Sequence, residues 1–436
     1  MNEDIDESVV IRSVFPGEPS RVGKHSIRCR IGIDVRLYPD ALEAFCFKTI
    51  DVRDEELVFL AGVIAFADRS VRRRAGDGWR RKIHVVVPVE DPRAWSQSEI
   101  VDSLIDALQY LTGDQWSFSF LKRVGRMPKV AQGELDLGQG EFVVMPFSNG
   151  LDSFAQSRLS RAEFPQYSPI RVTAWNRGLS GGRDWVVEAD GSRWRRVAVP
   201  IRVAINGAAD QTYRTRSFLF SVLAGLASHM SGAESIIVPE AGQGSLGPSL
   251  LPLGAESPHR GSHPGFSRRM MKFFEAFWSA PMKIEHPQLW RTKGEVLSLL
   301  KKKDLHAGWD KTRSCSRDQR HVHTKRHTLL HCGICSGCIL RRLAVFSAEL
   351  TEPASNYVWS DLSAESLEKS LCSDASRPTT RNDRDIAVHA IMAMEDLARQ
   401  ADLDVNHVRF QTTLFDPTMF ASSCCVGRRR KSKPPC

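Results

Sequence analysis

The apolar positions in the first third of this chain switch between two periods. HSIRCRIGIDVRLY (25–38) and RKIHVVVPV (81–89) alternate or run apolar as strands do, whereas DEELVFLAGVIAFADRSV (54–71) and SQSEIVDSLIDALQYL (96–111) start polar and keep helical spacing. Together they predict an accessory α+β domain over residues 1–138. The polar, glycine-containing stretch KRVGRMPKVAQGELDLGQGE (122–141) is the candidate linker after it. No catalytic constellation precedes that linker.

From residue 141 to about 300 the pattern becomes strand then helix, repeatedly. EFVVMPF leads into a helix from Asp152; RVTAWN (171–176) and RVAVPIRVA (196–204) read as strands; RSFLFSVLAGLASHM (216–230) reads as a helix and SIIVP (235–239) as a strand. Such alternation predicts an α/β fold, a doubly wound parallel sheet covered on both faces, over residues 139–310. A zinc-binding segment is expected over 311–350, ending in the helix ILRRLAVFSAEL (339–350). A helical extension over 351–436, containing RDIAVHAIMAMEDLARQA (384–401) and a basic tail, completes the plan.

Composition changes this picture little: with 42% hydrophobic and 25% charged residues the chain reads as ordinary folded domains. The formal charge of +9 favours anionic partners without marking a nucleic-acid footprint. MNEDIDESVV is acidic where a secretory signal is basic and then apolar, and no apolar run approaches the ~20 residues that span a bilayer. The expectation is a cytoplasmic protein with no membrane partner. The ten cysteines are scattered except for Cys332, Cys335 and Cys338, which in a reducing compartment point to a metal rather than to disulfides.

Candidate chemistry concentrates in FSNGLDS (147–153). A loop that leaves a strand and enters a helix offers unpaired N–H groups and a positive dipole end, both suited to phosphate. Small residues at Ser148, Asn149 and Gly150 admit close approach, and the Ser148 and Ser153 hydroxyls add hydrogen bonds. Asp152 repels a bare phosphate but suits a magnesium ion accompanying it. A second concentration is the C-x16-C-x2-C-x2-C array of Cys315, Cys332, Cys335 and Cys338, which can close a tetrahedral zinc shell with no open position. One of His321, His323, His327 or His331 can substitute in that ligand set.

SNGLDS resembles the SGGxDS pyrophosphate loop of the N-type ATP pyrophosphatases, a HUP-like fold; Asn149 replaces the first glycine of the pair, and asparagine tolerates the left-handed conformation best among other residues. With the cysteine array, CSGCILRR, YRTRSFLF (Arg214, Arg216) and LWRTKGEVLSLL (Lys293), residues 140–350 resemble 7-cyano-7-deazaguanine synthase, known as QueC. The resemblance implies ATP, Mg2+ and Zn2+ as cofactors, adenylation of a 7-deazaguanine carboxylate with loss of pyrophosphate, and transfer to an amine. In these terms Ser148, Asn149, Gly150, Asp152 and Ser153 bind ATP, and Asp152, Arg216 and Lys293 are catalytic.

The chain departs from the synthases after SIIVP, where PEAGQGSLGPSLLPLGAESPHRGSHPGF (239–266) replaces their substrate loop. That segment and the added terminal regions are more similar to the QatC group of antiphage defence proteins, which implies protein partners from a defence operon. Glu240 is a candidate to read a guanine-like edge, with Arg260 and His263 as further substrate contacts; the residues equally allow Glu240 to cap a loop and His263 to be structural. Two other functions stay open: an RNA-modifying ATP pyrophosphatase using basic stretches such as RWRR (193–196), with nucleic acid the less favoured partner, and a non-catalytic nucleotide-binding scaffold.

Overall fold

The computed structural model describes residues 8–404 apart from 16–25, 47, 74–78, 125–141, 164, 166–167, 176–184, 188–192, 206–209, 211, 234, 251–256, 318–321, 323 and 326–328. In chain order the first part contains β1 (Val9–Val14), β2 (Ser26–Arg30), β3 (Val35–Leu37), α1 (Asp40–Cys46), α2 (Val52–Ser70), β4 (Lys82–Val89), α3 (Pro92–Trp95), α4 (Ser98–Thr112) and β5 (Gln115–Lys122). Four of these strands form a sheet of order β2-β1-β4-β5, parallel throughout. α3 and α4 cross over between the parallel strands β4 and β5, while α1 and α2 lead from β3, a strand of the other sheet, into β4, so this part is α/β and not the α+β arrangement expected. β4 is central, which explains why KIHVVVPV is apolar on both faces.

The second part runs β6 (Phe142–Pro146), α5 (Leu151–Glu163), β7 (Ser168–Trp175), β8 (Trp185–Val187), β9 (Arg193–Val203), α6 (Arg216–Ser231), β10 (Ser235–Ile237), α7 (Gly242–Ser245), α8 (Gly247–Leu250), α9 (Pro264–Trp278), β11 (Ile284–Glu285) and α10 (Lys293–Lys302). Its sheet has the order β11-β10-β6-β7-β9-β3, with β8 pairing the start of β9. The five strands β11 to β9 are mutually parallel, and β3 closes the outer edge antiparallel to β9. The chain therefore enters at β6, moves outward through β7 to β9, and returns to the other side of β6 as β10. Between β6 and β10 the order reverses, which opens a crevice at their carboxyl ends.

Both faces of this sheet are covered. Val144, Ile170 and Val172 belong to the core that holds Phe218, Val222 and Leu223 of α6, while Val143, Met145 and Phe147 pack with Ile237 on the opposite face. Leu151, Ala155 and Leu159 of α5 join Val296, Leu297 and Leu300 of α10 in a separate cluster.

Among the described residues, the core of the stretch 1–138 is continuous with that of the second part. Leu57, Leu60 and Ile64 of α2 share one cluster with α6 and with Phe273 and Phe277 of α9. A buried charge network reinforces the junction: Arg81 pairs with Asp68 at 2.6 Å and Asp114 at 2.5 Å, Arg73 with Asp114 at 2.7 Å and Asp210 at 3.4 Å. Asp68 also accepts from the Thr215 amide and hydroxyl at 2.9 and 3.0 Å.

Beyond α10 come a 3-10 turn (Trp309–Lys311), α11 (Ser336–Ser347) and α12 (Arg381–Ala401). Val322, Ile334, Tyr357, Val358, Trp359 and Ala375 form a small core around the cysteines, against which Ile386 and Ala387 of α12 pack. The basic tail at 428–433 and residues 125–141 of the linker expected over 122–141 lie outside the described residues, and Lys122 ends β5.

Candidate functional site

The Ser148–Gly150 loop leaves the carboxyl end of β6 at the crevice and enters α5. Ser153, buried in the first turn of that helix, ties the loop down: its hydroxyl accepts from the Ser148 amide at 3.1 Å and lies 3.1 Å from the Ser148 hydroxyl. The Ser148 hydroxyl in turn accepts from the Gly150 amide at 3.2 Å. A Cβ on Gly150 would sit 3.0 Å from the Ser148 Oγ, so a larger residue there would push on this bond. Neither Asn149 nor Gly150 has positive φ. The left-handed tolerance expected to justify Asn149 is therefore unnecessary, because the loop is held by its hydrogen bonds in ordinary backbone conformations.

Asp152 follows on the first turn of α5, where its Oδ2 accepts from Lys293 Nζ at 2.5 Å. Lys293 is the first residue of α10, a helix started by the reciprocal capping box of Thr292 and Glu295. Its amide donates to Gln243 Oε1 at 3.0 Å, and its ammonium also stands 3.8 Å from Glu240 Oε1, just past β10. Two carboxylates and one ammonium thus meet at the crevice, from the strands on either side of the reversal. Glu240 keeps 29% of its side chain exposed, yet protein atoms crowd its carboxylate. Burial, then the charge of Asp152, raises its pKa to about 7 against the opposing pull of Lys293. Burial lowers the Lys293 pKa, but Asp152 and Glu240 outweigh that and leave it raised.

No family model matches this chain, and no curated protein matches it.

The four cysteines converge. Sγ atoms of Cys315, Cys332, Cys335 and Cys338 all lie within 4.8 Å of one another, and those of Cys332 and Cys338 are 3.7 Å apart. A tetrahedral Zn–S bond of ~2.3 Å places sulfurs about 3.8 Å apart, so these thiols can hold a metal such as zinc. Amides of Ile334 and Cys335 donate to Cys332 Sγ at 3.4 and 3.3 Å, and the Cys332 amide donates to Cys315 Sγ at 3.3 Å, which steadies thiolate charge. Hydrogen bonding with Cys332 lowers the Cys315 thiol to about 7. Among the histidines weighed as alternatives, His321, His323 and His327 lie outside the described residues. His331 is buried against Tyr357, with rings 5.5 Å apart.

Other residues named from the sequence are not gathered here. Arg216 is exposed at the start of α6 with its guanidinium 5.4 Å from the Phe220 ring; among the described residues no hydrogen bond or ion pair joins it to Asp152 or Lys293. Arg260 donates to the Tyr110 carbonyl at 3.1 Å and lies over that ring. His263 caps α9: its Nδ1 accepts from the Gly265 amide at 3.0 Å and lies 2.8 Å from the Tyr110 hydroxyl. Arg260 and His263 thus fasten α9 to α4, apart from Glu240.

Three residues at the site were not legible as site residues. Gln243 orients Lys293 from a four-residue helix with no periodic signal. Arg313 donates its amide to the Asn149 carbonyl at 2.7 Å. Arg341, fully buried, pairs with Glu352 at 2.8 Å and donates to Thr312 Oγ1 at 2.7 Å. Its signal was its spacing, one helical turn after Cys338.

Proposed function

We propose that this chain is a QueC-like, ATP-dependent enzyme that adenylates a carboxylate of a 7-deazaguanine, releases pyrophosphate and passes the activated acyl group to an amine. The observation that carries this reading is the gathering of Asp152, Lys293 and Glu240 beside the Ser148–Gly150 loop, at the reversal of strand order in a parallel sheet. Such reversals are where phosphate-bearing ligands bind in open α/β sheets, which supports a HUP-like assignment for this domain.

The donor set fits magnesium and a polyphosphate. Asp152 and Glu240 offer hard oxygen ligands, and the start of α5 offers amide N–H groups with the two serine hydroxyls. Bound MgATP supplies an electrophilic α-phosphate and a divalent charge that offsets the leaving group. With ATP held there, the substrate carboxylate oxygen would bond to that phosphorus as the bond to the bridging oxygen breaks and pyrophosphate leaves; an amine would then displace AMP from the acyl carbon, losing its proton to solvent. Among the chain's own groups, Ser148, Gly150 and Ser153 hold pyrophosphate oxygens, and Lys293, released from Asp152, neutralises the departing charge. The amine donor in this reading is ammonia or a partner protein of a defence operon.

Incubation with ATP, magnesium and 7-carboxy-7-deazaguanine is expected to release AMP and pyrophosphate. ADP, or no nucleotide product from zinc-replete protein, would overturn the proposal.

A further inference from the structure

The geometry points to Arg313 and Arg341 as positioning residues through which the four-cysteine centre sets the shape of the Ser148–Gly150 loop. This concerns the loop itself and holds whatever ligand the loop takes.

The connection is the segment from Trp309 to Cys315, which runs beneath the loop. At its far end Cys315 belongs to the thiol cluster, and its sulfur accepts from the Cys332 amide at 3.3 Å. In its middle the Arg313 amide donates to the Asn149 carbonyl at 2.7 Å. The Arg313 side chain then reaches the other arm of the centre, donating from Nη1 to the Leu330 carbonyl at 3.1 Å, two residues before Cys332. At its near end Trp309 shares a core cluster with Leu151, the first residue of α5.

Arg341 binds the same segment from α11. Its Nη1 donates to Thr312 Oγ1 at 2.7 Å, and its Nη2 lies 3.4 Å from both the Trp309 and the Asp310 carbonyls. The guanidinium is anchored by Glu352, whose side chain is 4% exposed. α11 approaches so closely that a Cβ at Gly337 would collide with the Ser314 carbonyl. Because α11 begins at Ser336 and carries Cys338 in its first turn, any movement of the thiols moves Arg341 with them. The links between centre and loop are thus hydrogen bonds and packed contacts, buried at Arg341 and Thr312 and half-buried at Arg313 and Cys315, and they form the kind of contiguous path that carries displacement. Without a metal to hold the sulfurs together, Cys315 would separate from Cys332 and Arg313 would withdraw from Asn149.

Amide hydrogen exchange read by mass spectrometry tests this on the full chain, without ATP. Removing zinc with a chelator is expected to accelerate exchange at residues 148–153 by about tenfold while β4 keeps its protection. Unchanged loop exchange in protein whose 312–338 region has become labile would overturn the inference. Should chelation also unprotect β4, Thr312→Val at full zinc occupancy decides: it removes the Arg341 acceptor without touching a thiol, and faster loop exchange supports the inference whereas wild-type exchange overturns it. These readouts stay informative even if the chain proves not to bind ATP.

Discussion

Asp152, Lys293 and Glu240 are tied electrostatically before any ligand is considered. Lys293 and Asp152 keep only 8% and 15% of their side chains exposed, so removing one leaves the other charge poorly solvated. Asp152→Ala is therefore expected to lower unfolding free energy by ~3 kcal/mol in urea titration, as well as to abolish pyrophosphate release. Glu240 has the opposite relation to pH from most carboxylates. Its folded pKa, about 7, lies above its ordinary value of 4.5, so the stability it contributes is complete below 4.5 and disappears as pH rises through 7. The melting temperature of the wild type relative to Glu240→Gln should fall steadily from pH 4.5 to 8; a pH-independent difference would refute the burial of this carboxylate. Asp152 and Lys293 were singled out from their local frames, and Glu240 as one of two readings, the other a loop cap. Gln243 was not, since an amide that merely receives one N–H has no sequence signature.

At the scale of elements, β4, β6, β7, β9, β10, α2, α4, α5, α6, α11 and α12 followed from their periods, whereas β1, β5 and α10 were not read as elements. Nor was α9, although Phe266, Met270, Phe273, Phe274 and Phe277 have helical spacing and Pro264 stands at the helix start, where its missing N–H costs nothing. Residues 239–266 stand where the synthases carry a substrate loop, and their charged side chains were candidate substrate contacts, yet His263 is a helix cap. His263→Ala should cost ~1 kcal/mol in stability and leave the KM for the proposed deazaguanine substrate unchanged. A raised KM at unaltered kcat would return His263 to the substrate site. The parallel pairing of β4 with β1 and β5 was also hidden, because neither partner was read as a strand and a strand's period specifies its faces and not its neighbours.

For the whole molecule, the accessory region and the central sheet share one core. β3 satisfies the outer edge of β9, and α2 covers α6. A chain beginning at residue 139 should expose that edge and the apolar face of α6, and therefore lack near-UV circular dichroism and a cooperative melt. A well-folded fragment would show instead that the shared core is dispensable. Among the described residues no helix is long and apolar enough to cross a membrane.

The sequence by itself determined what depends on neighbours along the chain: the alternation of strands and helices, the small-residue loop before Asp152, and the cysteine spacing that permits a closed metal shell. Tertiary structure alone decided which strands adjoin, and so put Glu240 and Lys293 beside Asp152 while leaving Arg260 and His263 on Tyr110. The reason is physical: periodicity and turn chemistry act over a few residues, whereas strand order and charge pairing are selected by burial across the entire fold.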